Sequence, residues 1–131
     1  MDKRAKILLS TLLLCLLHAF AFAQGEKQKP RIKFKTNIIN LSTDENITYR
    51  GDTIYAKFEY YNMNSSSPLT IEFVKPSCTC TGFKLREPKQ QEENGTIELV
   101  FTRASIEKFG IMDAIVKSNA VNNYELLEVV Y

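Results

Sequence analysis

Apolar and polar residues alternate along much of the chain beyond residue 30. The longest such run lies at Thr53–Tyr61, where every second residue is apolar and the residues between are mostly polar. Successive side chains of a β-strand point to opposite faces, so this period of two predicts strands with one buried face and one solvent-exposed face. Phe58 is predicted to point into the core. The alternating apolar positions are Ile32 and Phe34; Ile54, Ala56, Phe58 and Tyr60; Leu69, Ile71 and Phe73; and Ile97, Leu99 and Phe101.

Seven short strands follow from this pattern and from the turn residues between them. They are Arg31–Thr36, Thr53–Tyr61, Leu69–Val74, Thr81–Arg86, Thr96–Thr102, Met112–Ser118 and Tyr124–Val130. Apolar residues on both faces of the segment Ile111–Lys117 indicate a central place in a sheet, and no long helical pattern occurs after residue 23. About seven strands in about 100 residues predict an all-β, immunoglobulin-like β-sandwich over residues 31–131.

The first 23 residues have the features of a secretory signal peptide. Lys3, Arg4 and Lys6 precede an apolar run over residues 7–22, which ends at Ala21-Phe22-Ala23. A membrane anchor is the less favoured alternative because the run has 16 residues, whereas a spanning helix needs about 20. We therefore expect cleavage before Gln24, no membrane span afterwards, an exposed lead-in over residues 24–30, and an extracytoplasmic location in the periplasm or outside the cell.

Removal of the signal makes the chain neutral. The 131 residues carry 17 basic and 15 acidic side chains, and residues 1–23 hold three basic and one acidic, which leaves 14 of each. A neutral domain lacks the basic surface of a nucleic-acid-binding protein, so no nucleic-acid partner is expected. The only histidine, His18, leaves with the signal, and the mature chain lacks the commonest general base and metal ligand. We expect no enzyme activity and no cofactor.

Cys78-Thr79-Cys80 is the one motif with evident chemical potential. In an extended strand, residues two positions apart have Cα atoms about 6.6 Å apart, so a disulfide requires a bend in the backbone. Two buried structural cysteines or a local bridge are one interpretation. If Cys78 and Cys80 stay reduced, they are candidate ligands for a soft metal such as copper, or a thiol redox pair.

The segment from residue 47 to residue 83 resembles the bacterial domain-of-unknown-function family 1573. The matching positions are Gly51, Phe58, Tyr60, Asn62, Pro68, Leu69, Ile71, Ser77, Cys78, Cys80 and Thr81, and a later match runs from Gly110 into Ser118-Asn119. Thr79 departs from the glycine usual in the Ser-Cys-Gly-Cys-Thr motif. The resemblance covers about residues 31–131 and implies an exported immunoglobulin-like, ASH-like module. It implies no established chemistry.

The leading functional hypothesis is an exported, non-enzymatic module that binds a protein or glycan of the cell envelope, through an edge strand of the sandwich. Thiol redox chemistry or copper binding at Cys78 and Cys80 is the alternative. Two further features are weaker functional candidates, since strand packing explains the first and the start of a strand explains the second. Tyr55 and Tyr61 are candidates for a small exposed aromatic patch, and Thr53 follows Asp52 in a pattern that resembles an O-glycosylation acceptor.

Overall fold

The computed structural model describes residues 3–24, 29–64, 66–90 and 94–131. Its first element is the helix α1 (Lys3–Gln24), which coincides with the predicted signal. Within the described ranges, no helix combines the length and the apolar character that crossing a membrane requires. Cleavage before Gln24 stays a prediction.

Two β-sheets face each other, as the alternating pattern predicts, and the all-β sandwich is confirmed. Sheet 1 contains, in spatial order, β1 (Ile32–Phe34), β4 (Thr53–Asn62), β7 (Gly95–Thr102) and β6 (Gly82–Arg86), and β3 (Ile47–Arg50) also pairs with β4. Sheet 2 contains β2 (Ile38–Asn40), β9 (Tyr124–Val130), β8 (Ile111–Ser118) and β5 (Ile71–Pro76), in that order. The predicted central position of the strand near residues 111–117 is confirmed, because β8 lies between β9 and β5.

The core lies between the sheets and is built from the alternate residues of the long strands. Phe58 is fully buried, which confirms its predicted direction, while its neighbour Lys57 is exposed. Antiparallel pairing places Phe58 opposite Ile97 and Ala56 opposite Leu99, so the apolar rows of β4 and β7 coincide. Apolar burial of this kind is the main favourable contribution to folding.

The described residues form nine strands, so the predicted number of seven is wrong by two. The missed strands are β2 and β3, which are only three and four residues long. β2 pairs with β9 in parallel, a contact between distant parts of the chain. β3 extends through Tyr49 and Arg50, and the turn that follows is tight, because Gly51 adopts a left-handed φ of 59°.

β5 departs from the predicted alternation. Leu69, Ile71 and Phe73 were expected on one face, but the register of β5 on β8 shifts between Ile71 and Phe73. Such a bulge places an extra residue in one strand and reverses the faces that follow. Val74 therefore points into the core, and Phe73 is 44% exposed.

A short helix, α2 (Arg103–Phe109), joins β7 of sheet 1 to β8 of sheet 2. Thr102 begins it, because its side chain accepts a hydrogen bond from the N–H of Ser105. Gly110 ends it at φ 77°, the left-handed conformation that glycine adopts most easily. Ile106 is buried and fastens the helix to the core.

The predicted lead-in is described only in part, because residues 25–28 lie outside the described residues. Its last residue, Pro30, is buried, and the Pro30 carbonyl accepts a hydrogen bond from the Val121 N–H at 2.9 Å. The packed domain therefore includes Pro30.

Candidate functional site

The cysteine pair lies in the turn that carries the chain from sheet 2 to sheet 1. This turn, residues 77–81, leaves β5 and enters β6. Cys78 and Cys80 form a disulfide with their Cα atoms 5.1 Å apart, closer than the roughly 6.6 Å of an extended strand. The Thr81 N–H donates to the Cys78 carbonyl at 3.1 Å, which closes the bend that the bridge requires.

Neighbouring contacts hold the turn against the domain. The Ser77 N–H donates to the Asp113 carbonyl at 3.2 Å, and the Ser77 hydroxyl donates to the Asp113 carboxylate on β8. Cys80 is half-buried against the core, and Thr81 is buried with its hydroxyl 3.2 Å from the sulfur of Met112. The turn thus fixes where β6 begins.

In the disulfide form, neither Cys78 nor Cys80 offers a thiolate to a metal. Thiolates are the ligands that copper and other soft metals prefer, so the metal-site prediction concerns the reduced pair alone and stays a prediction. Within the described part of the chain, no group of three or more His, Cys, Asp or Glu side chains is placed to hold a metal ion.

The most distinctive surface is the outer edge of β6, which we call the open edge (Gly82–Arg86). β6 pairs with β7 on one side only, and all five of its residues are exposed. No hydrogen bond from the described residues reaches the other side of this strand. An unpaired strand edge presents free N–H and C=O groups that another extended chain can pair with.

Two apolar residues of the open edge point toward the core side of sheet 1 and are still open to solvent. Phe83 lies opposite Leu99 and Leu85 lies opposite Ile97, both of which are fully buried. Directly opposite residues of paired strands share a face. Phe83 is nevertheless 43% exposed and Leu85 is 38% exposed. The sandwich is therefore incompletely covered along β6.

The other strand edges are shorter, interrupted or covered. β1 and β2 have three residues each, and β5 contains a bulge and ends at Pro76. At β3, the Arg103 guanidinium lies 5.3 Å from the ring centre of Tyr49, and the Tyr49 hydroxyl donates to the Leu41 carbonyl at 3.5 Å. Short strands, bulges, prolines and charged side chains are the usual protections of sheet edges. β6 has five residues without a bulge or a proline, and its protection consists of Lys84 and Arg86.

The outer face of β6 is cationic. Lys84 pairs in register with Glu98 of β7, and Arg86 pairs with Thr96. We call Lys84 and Arg86 the edge cations. Neither has an ion-pair partner within 4.0 Å among the described residues.

Tyr55 and Tyr61 do not form the open aromatic patch considered from the sequence. Both are half-buried. Cations cover the Tyr55 ring, with Lys84 Nζ at 5.0 Å and the Arg50 guanidinium at 5.7 Å from its centre. Thr53 is half-buried at the start of β4, in register with Arg50 and Thr102; its glycosylation stays a prediction.

Tyr60 ends in a buried hydroxyl that has no hydrogen-bond partner among the described residues. Its ring lies over Gly95, where any Cβ would overlap it. Burial, with a smaller effect of the Glu87 charge, raises the pKa of Tyr60 above its usual value. Tyr60 borders a cavity of about 180 Å³ at one end of the sandwich.

Sheet 2 also carries apolar side chains on its outer face. The exposed members are Ile38, Phe73, Ile111, Ile115, Tyr124 and Leu126. They are interspersed with Asp113, Lys117 and Glu128, and Lys117 forms an ion pair with Glu72 at 3.2 Å. Most of these side chains lie on β8 and β9, which are paired with a neighbouring strand on both sides, unlike β6.

Sequence analysis identified the cysteine pair as a candidate site, but it did not identify β6 as the strand with the open edge. The alternation Phe83, Leu85 predicts a strand with a core-facing side, but it carries no sign that the facing sheet leaves that side uncovered. Only the order of strands in the two sheets reveals β6 as an edge.

Comparison with known proteins places this fold in a family. The family described as "Protein of unknown function (DUF1573)" matches residues 32–130, from the first residue of β1 to the last of β9. No curated protein and no solved structure matches the chain. The match spans the whole sandwich and confirms the resemblance seen in the sequence: the chain belongs to the DUF1573 family, whose function is unknown.

Proposed function

We propose that this protein is an exported, non-enzymatic module that binds a protein of the cell envelope by strand addition at the open edge. The observation that carries the proposal is the exposure of Phe83 and Leu85 on the core side of β6. An extended segment of a partner, paired with β6, would cover both side chains and satisfy the free backbone groups.

A protein partner suits this edge better than the glycan considered from the sequence. Backbone N–H and C=O groups spaced along a strand match an extended peptide, whose side chains alternate with the same period of two. Each net backbone hydrogen bond contributes about 0.5–1.5 kcal/mol. Completing the burial of Phe83 and Leu85 contributes on the order of 1 kcal/mol each. The entropy lost on association offsets most of these gains, so we expect a weak, reversible complex.

The test is retention of partners from an envelope extract by wild-type protein and by two matched variants. Phe83→Asp places a charge on the open edge, and Phe73→Asp places the same charge on the outer face of sheet 2. The two phenylalanines are 43% and 44% exposed, so the changes differ in place rather than in burial. We expect Phe83→Asp to lose the partner retained by wild type and Phe73→Asp to keep it.

Each result is interpreted together with thermal unfolding of the variants, so that loss of fold is distinguished from loss of binding. Retention by a folded Phe83→Asp variant, with loss by Phe73→Asp, would assign binding to the outer face of sheet 2 and contradict the proposal. A partner found only in the cytoplasm would contradict export.

A further inference from the structure

Resting on the proposed function, we infer that the partner strand carries acidic side chains at alternate positions, on the outer face of sheet 1, with apolar side chains between them. The apolar positions follow from Phe83 and Leu85, which need cover on the core side. The acidic positions follow from the edge cations, Lys84 and Arg86.

The cross-strand rows of sheet 1 show why carboxylates fit there. One row runs from Lys57 on β4 through Glu98 on β7 to Lys84 on β6. A single carboxylate thus lies between two cations. The Lys84 ammonium lies 5.0 Å from the ring centre of Tyr55, and its flexible side chain lets it turn to a carboxylate on a strand added beyond β6. Opposite charges directly across paired strands stabilise a sheet, so a Glu or Asp opposite Lys84 on that strand continues the alternation.

Among the described residues, the neighbouring row presents the second cation, Arg86, with even less compensation. It runs from Glu59 through Thr96 to Arg86. Glu59 forms an ion pair with Lys35 at 3.0 Å and accepts a hydrogen bond from the Asn94 amide at 2.8 Å. Both of its carboxylate oxygens therefore already have partners other than Arg86. A carboxylate of the partner beside Arg86 would also accept two parallel hydrogen bonds from the guanidinium.

A second copy of this chain fits the edge poorly. Antiparallel pairing of two β6 strands that keeps both apolar sides toward the core sets Lys84 and Arg86 against the same cations of the copy. Like charges directly opposite one another are destabilising. The charge pattern therefore favours a different, acidic partner over self-association.

Three synthetic peptides test the inference on the purified protein. Each has seven residues, with valine at alternate positions and glutamate, serine or lysine between. Binding is followed by NMR, through shifts of the amide resonances of residues 82–86. We expect the glutamate peptide to bind at least about tenfold more tightly than the serine peptide, and the lysine peptide to bind most weakly. The difference should shrink in high salt, which screens exposed charges.

Charge-reversal variants locate the effect. In Lys84→Glu/Arg86→Glu the preference should invert toward the lysine peptide. The matched control, Lys29→Glu/Lys33→Glu, changes the net charge equally; Lys29 precedes β1 and Lys33 lies in it, along the opposite edge of sheet 1, and the glutamate preference should persist.

The outcomes separate the inference from the proposed function. Equal binding of the glutamate and serine peptides at the open edge would overturn the acidic partner and leave strand addition standing. If no peptide shifts the β6 amides, strand addition itself is wrong. A peptide-free dimer in sedimentation, with shifts at β6, would identify a second copy as the occupant and overturn the acidic partner.

Discussion

Among single residues, Phe58 provides the most direct test of the strand register. Its ring is fully buried between the sheets. Phe58→Ala should lower the free energy of unfolding by about 3–5 kcal/mol, because truncation removes apolar contacts and leaves a cavity. Lys57→Ala, one position away on the exposed face, should change it by less than about 0.5 kcal/mol. Urea denaturation measures both; equal losses would mean that the register is wrong by one residue.

Tyr60 tests the opposite kind of burial, that of a hydroxyl with no hydrogen-bond partner among the described residues. A buried unsatisfied hydroxyl costs about 1–3 kcal/mol. Tyr60→Phe removes only that hydroxyl and should raise the free energy of unfolding by about 1 kcal/mol, measured by the same denaturation. Tyr61→Phe on the adjacent, half-buried position is the control and should have little effect. A loss of stability in Tyr60→Phe would show that the hydroxyl has a favourable contact.

The same variant should change the response to alkaline pH. Burial raises the pKa of Tyr60 above the usual 10.0. Above that pH the unfolded chain releases the proton while the folded protein keeps it, so this contribution to stability is complete below pH 10.0 and falls as the pH rises. The advantage of Tyr60→Phe over wild type should therefore be larger at about pH 11 than at about pH 8. An advantage independent of pH would contradict the shift.

Residue by residue, alternation predicted burial where strands are long and regular. It was right for Phe58 on β4 and for Leu99 on β7. It was wrong for Phe73, because a bulge depends on how β5 meets β8 rather than on the residues of β5. It could not foresee the exposure of Phe83, since that depends on what the facing sheet fails to cover.

At the scale of elements, the disulfide turn connects the two sheets and positions the open edge. Thiol titration of the unfolded, unreduced protein should detect neither Cys78 nor Cys80, and titration after reduction should detect both. The bridge closes a very short loop, so the double variant Cys78→Ser/Cys80→Ser should lose only about 1–2 kcal/mol of stability.

Metal binding is tested on the same samples. The unreduced protein should hold no stoichiometric copper, because the sulfurs are not thiolates. Copper bound by the reduced wild type and absent from the double serine variant would support the metal hypothesis for the reduced pair. Two free thiols in the native protein before any reductant would contradict the bridge.

The elements that sequence reasoning missed are short and depend on distant contacts. β2 has three residues and pairs with β9, ninety positions away in the chain, and no local pattern encodes that pairing. α2 did leave a signal, Thr102 before it and Gly110 after it, but its seven residues carry a single buried side chain, Ile106. Caps therefore identify such a helix better than periodicity does.

For the whole molecule, charge and topology lead to one surface. The predicted mature chain is neutral, yet the edge cations lie together on β6, an edge strand with neither a bulge nor a proline. A chain with zero net charge can therefore still carry a local positive field, which steers and orients an acidic partner. Composition predicts no nucleic-acid partner but does not locate this edge.

Export is the prediction that concerns the whole chain. Signal peptidase requires small residues at the last and third-last positions of the signal, here Ala23 and Ala21. Mass spectrometry of the protein from the cell envelope should find Gln24 at the N-terminus. Ala21→Leu/Ala23→Leu should retain residues 1–23, whereas Ala19→Leu, outside the recognised positions, should be cleaved as wild type is. Wild-type envelope protein that keeps Met1 would contradict cleavage before Gln24 and would favour the alternative of a membrane anchor.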